Sequence, residues 1–431
     1  MKELYCEKSY HGKNSFSECY YKDSTKQEFH REDGPANIFY YSNGNVENEE
    51  YYKDGVRHRE DGPAKIEYYI NGKIECEEYY KNGVLHREDG PAKIEYWKNG
   101  NKRLEVYYID GKRYREDGPV QTSYYEMWSD HKQSEIYLIR NSKGEIIDDI
   151  TIAYYSEGGV ECELHFKGDH HHRENGPAIT HYYENGNKKY DEYLIEGKLH
   201  REDGPARIWY REDGSKEFEE YFKNGVRHRI DGPTVTRYYE NGNKIYEAYY
   251  INGRQHRKNG PAHVHYYENG NIDCVAYFKC GLYHREDGPA RIRYCEDGSK
   301  DFEEYFKDGE RHRIDGPALE YYYENGNKKY EVYYINGRHH RKNEPAHVQY
   351  YENGNIKYVA YFKHGLYHRE DGPARVQYYP NGNKNYEEHY QDGELHREES
   401  PSILKYNEDG SIKYEAYYKE GELYKEIYLN K

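Results

Sequence analysis

The feature that most constrains this chain is an internal repeat. The motif His-Arg-x-Asp-Gly-Pro, with small variations, returns at nearly constant intervals along 431 residues. Successive motif prolines are 28 residues apart, except for one step of 58 that equals one ordinary period plus one of 30. The prolines are Pro35, Pro63, Pro91, Pro119, Pro177, Pro205, Pro233, Pro261, Pro289, Pro317, Pro345, Pro373 and Pro401. A fixed period of this length is typical of an array of small units that bury surface against their neighbours.

A tyrosine keeps the same period. It stands five residues after every motif proline, and five residues after Asp149, where the long step hides a degenerate unit. The chain therefore holds about 14 units. The tyrosines are Tyr40, Tyr68, Tyr96, Tyr124, Tyr154, Tyr182, Tyr210, Tyr238, Tyr266, Tyr294, Tyr322, Tyr350, Tyr378 and Tyr406. A longer period of 84 residues relates the stretches that begin at His200 and His284, which indicates growth by copying of triplets.

Residues 63–90 show how one unit is expected to fold. Ala64–Ile70 is rich in strand-forming residues, and Asn71-Gly72 predicts a type I′ hairpin turn. Lys73–Lys81 is predicted to be the returning strand, followed by a second turn at Asn82-Gly83. A third turn is predicted at Asp89-Gly90, before the next proline. Each unit is therefore expected to be a β-hairpin.

Each predicted strand carries an aromatic pair, Tyr68-Tyr69 and Tyr79-Tyr80. Successive side chains of a strand point to opposite faces, so stacked units should form aromatic ladders on both faces. The predicted fold class is all-β, an elongated array of antiparallel β-hairpin repeats that forms a single twisted meander sheet or an open, solenoid-like rod. Two strands per unit give a length on the order of 130–140 Å.

The chain ends differ from the repeats. We predict an N-terminal cap with a partial repeat at 1–29, tandem repeats over 30–406, and a C-terminal partial repeat with a cap at 407–431. An irregular unit is predicted at 120–176, with a two-residue insertion within Met127–Gly144. We interpret that irregularity as a bend rather than a site.

Composition and net charge argue against several classes of function. The net charge of -16 argues against a nucleic-acid backbone binder and disfavours contact with anionic lipid. The seven cysteines show no metal-binding spacing, which suggests free thiols in a reducing compartment and an intracellular, cytoplasmic location. The first residues do not have the layout of a signal peptide, and no apolar run approaches the roughly 20 residues that a membrane span requires.

The motif residues are interpreted as structural, because an enzyme needs one constellation in one pocket and this one recurs in every unit. No catalytic, cofactor-binding or metal-binding residue is predicted; the run His170, His171 and His172 is expected to bind metal adventitiously at most. The Glu-rich stretch Glu217–Phe222 is interpreted as a solvated face. The predicted structural positions are His58, Arg59, Asp61, Gly62, Pro63, Tyr68, Asn71, Gly72, Tyr79, Tyr80, Asn82 and Gly83. An alternative is a His/Arg ladder that binds an extended acidic partner, formed by His200, Arg201, His228, Arg229, His256, Arg257, His284 and Arg285.

The run from Glu77 to Gly100, with Tyr79-Tyr80, Asn82-Gly83, His86 and Gly90, resembles the MORN repeat. The similarity is greater to the MORN variant repeat of large DNA viruses of amoebae and of bacterial antitoxin-like proteins. Two departures are a unit of 28 residues, longer than usual, and Tyr or Phe in place of the usual Trp. The resemblance implies scaffolding and protein association, sometimes near membranes, and no catalytic residues.

The resulting hypothesis is a non-enzymatic repeat scaffold that presents an extended surface for protein partners or for self-association, with no small-molecule substrate, no cofactor and no nucleic-acid partner. The alternatives are a membrane-associated rod, disfavoured by the charge, and an antitoxin-like or immunity-like binder of one protein target. A third alternative is an enzyme that uses the irregular region 120–176, where Met127–Lys132 and His165–Glu174 break the repeat pattern.

Overall fold

A four-residue strand follows nearly every motif proline in the computed structural model, which describes residues 5–11, 15–128 and 130–429. In the repeat 63–90 this entering strand is Lys65–Tyr68, and it pairs antiparallel with the returning strand Ile74–Glu78. The returning strand also pairs antiparallel with the next entering strand, Lys93–Tyr96. The described residues contain no helix. The predicted all-β fold of antiparallel hairpin repeats is confirmed.

The chain divides into two units, residues 1–200 with 209–214 and residues 201–208 with 215–431. In the first unit the entering strands are Asn37–Tyr40, Lys65–Tyr68, Lys93–Tyr96, Gln121–Tyr124 and Ile179–Tyr182. Its returning strands are Val46–Glu50, Ile74–Glu78, Lys102–Val106 and Lys188–Glu192. Strands Tyr5–His11 and Ser15–Tyr21 precede them as an antiparallel pair.

In the second unit the entering strands are Val235–Tyr238, His263–Tyr266, Arg291–Tyr294, Leu319–Tyr322, His347–Tyr350, Arg375–Tyr378 and Ile403–Tyr406. Its returning strands are Lys216–Glu220, Lys244–Ala248, Ile272–Ala276, Lys300–Glu304, Lys328–Val332, Ile356–Ala360, Lys384–Glu388 and Ile412–Lys419. Strand Glu422–Tyr428 pairs with the last of these. Strand Arg207–Tyr210 has residues in both units.

Parts of three predicted segments lie outside the described residues. They are residues 1–4 and 12–14 of the N-terminal cap, Ser129 of the irregular region, and residues 430–431 of the C-terminal cap.

Most repeats contain a second, smaller hairpin, so the prediction of one returning strand over Lys73–Lys81 is wrong. The sheet strand ends at Glu78, and Tyr80–Lys81 pairs instead with Val84–Leu85. The carbonyl of Tyr79 accepts a hydrogen bond from the backbone N–H of His86 at 3.0 Å, which closes the base of this side hairpin. Asn82 and Gly83 have φ of 54° and 82°, as a two-residue type I′ turn requires.

The remaining side hairpins have the same form in both units. They are Tyr52–Lys53 with Val56–Arg57, Tyr108–Ile109 with Lys112–Arg113, Leu194–Ile195 with Lys198–Leu199, Phe222–Lys223 with Val226–Arg227, Tyr250–Ile251 with Arg254–Gln255, Phe278–Lys279 with Leu282–Tyr283, Phe306–Lys307 with Glu310–Arg311, Tyr334–Ile335 with Arg338–His339, Phe362–Lys363 with Leu366–Tyr367, and Tyr390–Gln391 with Glu394–Leu395.

The turn at Asn71-Gly72 is not type I′, so that prediction is also wrong. Only Gly72 has positive φ, at 82°. The N–H of Gly72 donates to the carbonyl of Tyr69 at 2.8 Å, and the N–H of Tyr69 donates to the carbonyl of Lys73 at 2.8 Å. This is a three-residue loop, a type I turn closed by a glycine bulge. A separate register shift of one residue lies between Glu67 and Tyr68, where Glu75 of the returning strand has no paired residue.

The apolar core is thin. The residue after each link proline, an alanine except for Val120, Thr234 and Ser402, is buried. Ala64 is 0% exposed, and its backbone bonds Glu78 on one side and Tyr51 on the other. In the second unit Val264, Val275 and Ile292 form a buried cluster, and three tyrosines pack against it. The aromatic residues that occupy the position of Tyr80 in other repeats pack against aromatic residues of the side hairpins. The ring centres of Phe362 and Tyr367, for example, are 4.6 Å apart.

The irregular region contains an uninterrupted hairpin. Strands Lys132–Arg140 and Ile146–Tyr154 pair along nearly their full length across the turn at Gly144, and Ile146–Tyr154 pairs next with Val160–Lys167. The side hairpin and the motif loop of an ordinary repeat are replaced here by the longer strands. His170–His171 pairs with the end of Val160–Lys167.

Candidate functional site

The motif His-Arg-x-Asp-Gly-Pro forms a loop that links one repeat to the next. In the link loop His86–Pro91 the Arg87 guanidinium lies 4.1 Å from the ring centre of Tyr79. Its Nε donates to Asp89 Oδ1 at 2.9 Å and its Nη1 donates to the carbonyl of Pro91 at 3.4 Å. A Cβ on Gly90 would lie 3.0 Å from Arg87 Cζ. The close approach of Arg87 therefore favours glycine here, and Gly90 has no positive φ of the kind that a turn prediction would suggest.

The arginine-on-tyrosine contact recurs at 3.9–4.1 Å in ten link loops. The pairs are Arg31–Tyr20, Arg59–Tyr51, Arg87–Tyr79, Arg115–Tyr107, Arg229–Tyr221, Arg257–Tyr249, Arg285–Tyr277, Arg313–Tyr305, Arg341–Tyr333 and Arg369–Tyr361. In two other loops a histidine replaces the tyrosine. There Arg173 approaches His165 and Arg397 approaches His389, with Nη1 to Nε2 distances of 2.9 and 3.1 Å.

Burial disfavours the charged form of both histidines. Burial, and then the positive charge of Arg397, lowers the pKa of His389 to about 4. Burial lowers the pKa of His165 in the same way. In the other ten loops the arginine makes a cation–π contact with tyrosine, and that contact does not depend on the protonation of a histidine.

Replacing His389 by tyrosine should therefore stabilise the protein more in acid than at neutral pH. The folded-state pKa of about 4 lies below the ordinary histidine pKa of about 6.5, so the unfolded chain takes up the proton first as the pH falls from 6.5 to 4. We expect H389Y to raise the unfolding midpoint by about 2–4 °C at pH 5 and by less than half of that at pH 7.5. H170Y, at an exposed position, is the control; an equal gain at both pH values for H389Y would contradict the interpretation.

The motif histidine joins neighbouring repeats. His58 Nδ1 accepts a hydrogen bond from the backbone N–H of Asn82, the first turn residue of the next side hairpin, at 3.2 Å. The bond requires an unprotonated Nδ1. His30, His58, His86, His172, His228, His284, His312, His368 and His396 all make it, at 3.0–3.3 Å. At His256 the corresponding Nδ1 is buried without a hydrogen-bond partner among the described residues.

The residues of the predicted His/Arg ladder occupy these same positions. His228 and His284 bond backbone amides, and Arg229, Arg257 and Arg285 lie over tyrosine rings. The N–H of His200 donates to the carbonyl of Tyr193 at 2.9 Å, and Arg201 Nε donates to Asp203 at 2.8 Å. The side chains of Arg229 and Arg285 are only 26% and 23% exposed. These cationic groups are therefore engaged with the chain's own tyrosines, carboxylates and carbonyls.

The tyrosines after the link also bond neighbouring repeats. Tyr68 donates from its hydroxyl to Glu49 in the preceding repeat at 3.0 Å, and Tyr69 donates to the carbonyl of Tyr96 in the following repeat at 2.7 Å. Each repeat is thus held to its neighbours on both sides by side chains as well as by the sheet.

The interpretation of Glu217–Phe222 as a solvated face is wrong for Glu220, which is 1% exposed. Its carboxylate accepts hydrogen bonds from Arg207 Nη1 at 3.2 Å and from Arg227 Nε at 2.9 Å. Paired arginines make burial of this charge possible.

Sequence reasoning missed the groups that the link loops do expose. Two motif side chains point outward: the motif aspartate, and the residue that directly follows the motif arginine. Their side chains are 77–89% exposed in the first three loops. Hydrogen bonds from the motif arginines lower the pKa of Asp33, Asp61 and Asp89 below the usual range. Four consecutive loops of the first unit form what we call the acidic row: Glu32, Asp33, Glu60, Asp61, Glu88, Asp89, Glu116 and Asp117. The tandem Glu-Asp pairs can be seen in the sequence. The sequence does not show which polar residues of the motif face outward.

In the second unit the residue type directly after the motif arginine repeats every third loop. Glu202 is followed by Ile230 and Lys258, and the cycle returns with Glu286 and Ile314. The two isoleucines are 84% and 85% exposed. The link loops of this unit therefore present charge and apolar surface at intervals of 84 residues.

No group of His, Cys, Asp and Glu side chains within the described ranges is arranged to hold a metal ion. In the run predicted to bind metal adventitiously, His171 stacks on Phe166 at 4.3 Å and His172 Nδ1 accepts from the Glu196 N–H at 3.1 Å. Over the described part of the chain, no helix has the length and apolar character needed to cross a membrane.

The fold and the link loops define a protein built from tandem β-hairpin repeats. The family described as MORN repeat variant matches six segments, which together cover less than half of the chain: residues 37–54, 65–88, 234–252, 318–336, 347–364 and 374–392. The chain thus contains MORN-type repeats.

The comparison with curated proteins gives no match. Among solved structures, a chain in the crystal structure of TcdB2-TccC3-Cdc42 is similar at 12% identity with a TM-score of 0.16, and the match covers 94% of this chain and 19% of that chain. A TM-score this low supports no conclusion on function.

Proposed function

We propose that this protein is a non-enzymatic scaffold that binds protein partners through its link loops. The observation that carries the proposal is the acidic row, eight exposed carboxylates on four consecutive loops whose other motif residues are fixed by internal contacts. Successive loops are two strands apart, roughly 10 Å. A regular row of one charge steers and aligns a partner of the opposite charge.

The preferred partner is a basic segment of another protein, in place of the acidic partner considered for a His/Arg ladder. The motif arginines are stacked on tyrosines and bonded to aspartates, so they have little capacity left for an external anion. The outward glutamates Glu32, Glu60 and Glu88 are 77–89% exposed and can pair with lysine or arginine of a partner, while the neighbouring aspartates are also bonded to the motif arginines. MORN-type repeats in general fit such an interaction role, and an intracellular location is part of the proposal.

Membrane association is less favoured, since the acidic row would repel anionic lipid. A viral origin, an antitoxin-like role and self-association are compatible with the same surface, and no specific observation favours them.

The experiment compares two sets of four Glu→Gln changes. The first set neutralises Glu32, Glu60, Glu88 and Glu116, which lie on four consecutive loops. The control set neutralises Glu202, Glu286, Glu370 and Glu398, of which only Glu370 and Glu398 lie on consecutive loops. The probe is a fluorescent octalysine peptide at 50 mM salt. We expect about tenfold weaker binding for the first set, less than twofold for the control, and weakening of wild-type binding by salt.

Equal loss in both sets, or no binding by the wild type, would argue against the acidic row. Sedimentation with phosphatidylserine vesicles is the second arm. Co-sedimentation of the wild-type protein would favour the membrane-associated alternative instead.

A further inference from the structure

An aromatic residue follows the entering strand in most repeats and bridges to the next repeat. In the second unit Tyr267 donates from its hydroxyl to the carbonyl of Tyr294 at 2.8 Å, and Tyr323 donates to the carbonyl of Tyr350 at 3.0 Å. The hydroxyls of Tyr41, Tyr69, Tyr125, Tyr155, Tyr183, Tyr239, Tyr351 and Tyr379 make the same bond at 2.7–3.1 Å. Within each unit these rings form a row along the turn edge, at the end of each repeat opposite the link loop.

The row is interrupted between Tyr267 and Tyr323, where Cys295 takes the place of tyrosine. The backbone turn is unchanged: the N–H of Cys295 donates to the carbonyl of Ser299 at 2.8 Å, as Tyr267 does to Asn271. Only the ring and its hydroxyl are missing. Within the described residues, the carbonyl of Tyr322 therefore receives no bond from a tyrosine hydroxyl of the preceding repeat.

A second set of bridging bonds is missing at the same step. In the adjacent turns Asn271 Nδ2 donates to the carbonyl of Glu296 at 3.0 Å, and Asn327 Nδ2 donates to that of Glu352 at 2.9 Å. In the turn after Cys295 the asparagines are replaced by Asp297 and Ser299, which bond each other at 2.6 Å. The turn edge is thus open between these two repeats.

The opening is a solvent-open cavity of about 570 Å³. Its lining includes Tyr267, Tyr323, Cys295 and Tyr322, together with the cationic residues Arg293 and Lys329. This volume accommodates an aromatic side chain with its flanking atoms.

We propose that this cavity binds a tyrosine side chain of a protein partner. The ring takes the position that tyrosine occupies in the neighbouring repeats, and its hydroxyl donates to the carbonyl oxygen of Tyr322. The phenol ring fits the space between Tyr267 and Tyr323. Its hydroxyl supplies the donor that the tyrosine hydroxyl provides in the neighbouring repeats. This site lies at the turn edge and does not depend on the acidic row.

The charges of the cavity favour a neutral ring over a phosphorylated one. Glu296, Asp301, Glu324 and Glu352 line the cavity beside its two cationic residues. Arg293 Nε is already paired with Asp273 Oδ1 at 3.2 Å and lies 3.9 Å from Asp301 Oδ2. A phosphate would therefore add negative charge to an acidic surrounding.

Binding of N-acetyl-tyrosinamide to the full chain, followed by saturation-transfer NMR, tests the proposal. We expect a Kd of about 1 mM for the wild type and for C295A, which keeps the cavity, and at least about tenfold weaker binding for C295Y, which fills it. The phenylalanine and phosphotyrosine analogues should bind at least about fivefold more weakly than the tyrosine amide. Equal binding to C295Y, or no binding to the wild type, would overturn the proposal.

Two further arms keep the test decisive. If C295Y does not fold, Y351C serves in its place: it removes the hydroxyl that bonds the carbonyl of Tyr378 at 2.8 Å and should create a second binding site. Failure of Y351C to gain a site would count against the proposal. Binding of p-cresol without binding of the tyrosine amide would show a pocket for a small phenol and would overturn the assignment of a protein partner.

Discussion

Replacing Glu304 by alanine should lower the free energy of unfolding by about 2–4 kcal/mol. The Glu304 side chain is 3% exposed, and its carboxylate accepts hydrogen bonds from Arg291 Nη1 at 3.1 Å and from Arg311 Nε at 3.1 Å. Removing the carboxylate leaves two partly buried guanidinium groups without their shared partner. The expected loss is below that of a fully buried pair, because Arg291 and Arg311 are 41% and 40% exposed.

Urea unfolding of the full chain, followed by circular dichroism, measures this loss. E304Q keeps the volume and one acceptor and should cost less than E304A. E286A removes a glutamate that is 82% exposed and should change the unfolding free energy by no more than about 0.5 kcal/mol. If E304A were as mild as E286A, the buried carboxylate would not stabilise the repeat.

The second large effect is expected at the motif histidine. H58A removes the acceptor of the Asn82 N–H, whose bond to His58 Nδ1 joins two repeats, from a side chain that is 12% exposed. We expect a loss of about 2 kcal/mol from the lost bond and the lost packing together. H256A is the matched control, because its buried Nδ1 has no partner in the described structure, and it should cost about 1 kcal/mol less. Equal costs would mean that the histidines contribute packing alone.

The parts of the fold that the sequence predicted depend on neighbouring residues along the chain. The period, the hairpins and the presence of a turn at Asn82-Gly83 follow from strand formers separated by residues that tolerate positive φ, and the structure shows that this turn has positive φ at both residues. The same dipeptide at Asn71-Gly72 forms a different turn, because Ile70 joins the loop and makes it three residues long. A dipeptide does not by itself determine the length of its loop.

The parts that could not be predicted depend on contacts between positions distant in sequence. Burial of Glu220 requires Arg207, 13 residues before it, and Arg227, 7 residues after it. The division of Lys73–Lys81 into a sheet strand and a side hairpin depends on the bond between Tyr79 and His86.

The link motif was singled out from the sequence, but the possible ladder was placed on the loops from His200 to Arg285, and the acidic row of the first unit was not predicted. The link motif contains cationic, anionic and aromatic residues together, and its composition does not say which of them faces solvent. The structure directs Arg87 onto Tyr79 and leaves Glu88 and Asp89 exposed. That arrangement changes the expected partner from acidic to basic.

The central claim is that the repeated motif residues bond each repeat to the next. Hydrogen exchange at the single amide of Asn82, resolved by fragmentation mass spectrometry on the full chain, tests it most directly. H58A should accelerate exchange at Asn82 by about tenfold. The amide of Cys280, which holds the equivalent position after His256, should exchange at an unchanged rate in H256A. An Asn82 amide that exchanges equally fast in the wild type and in H58A would contradict the claim.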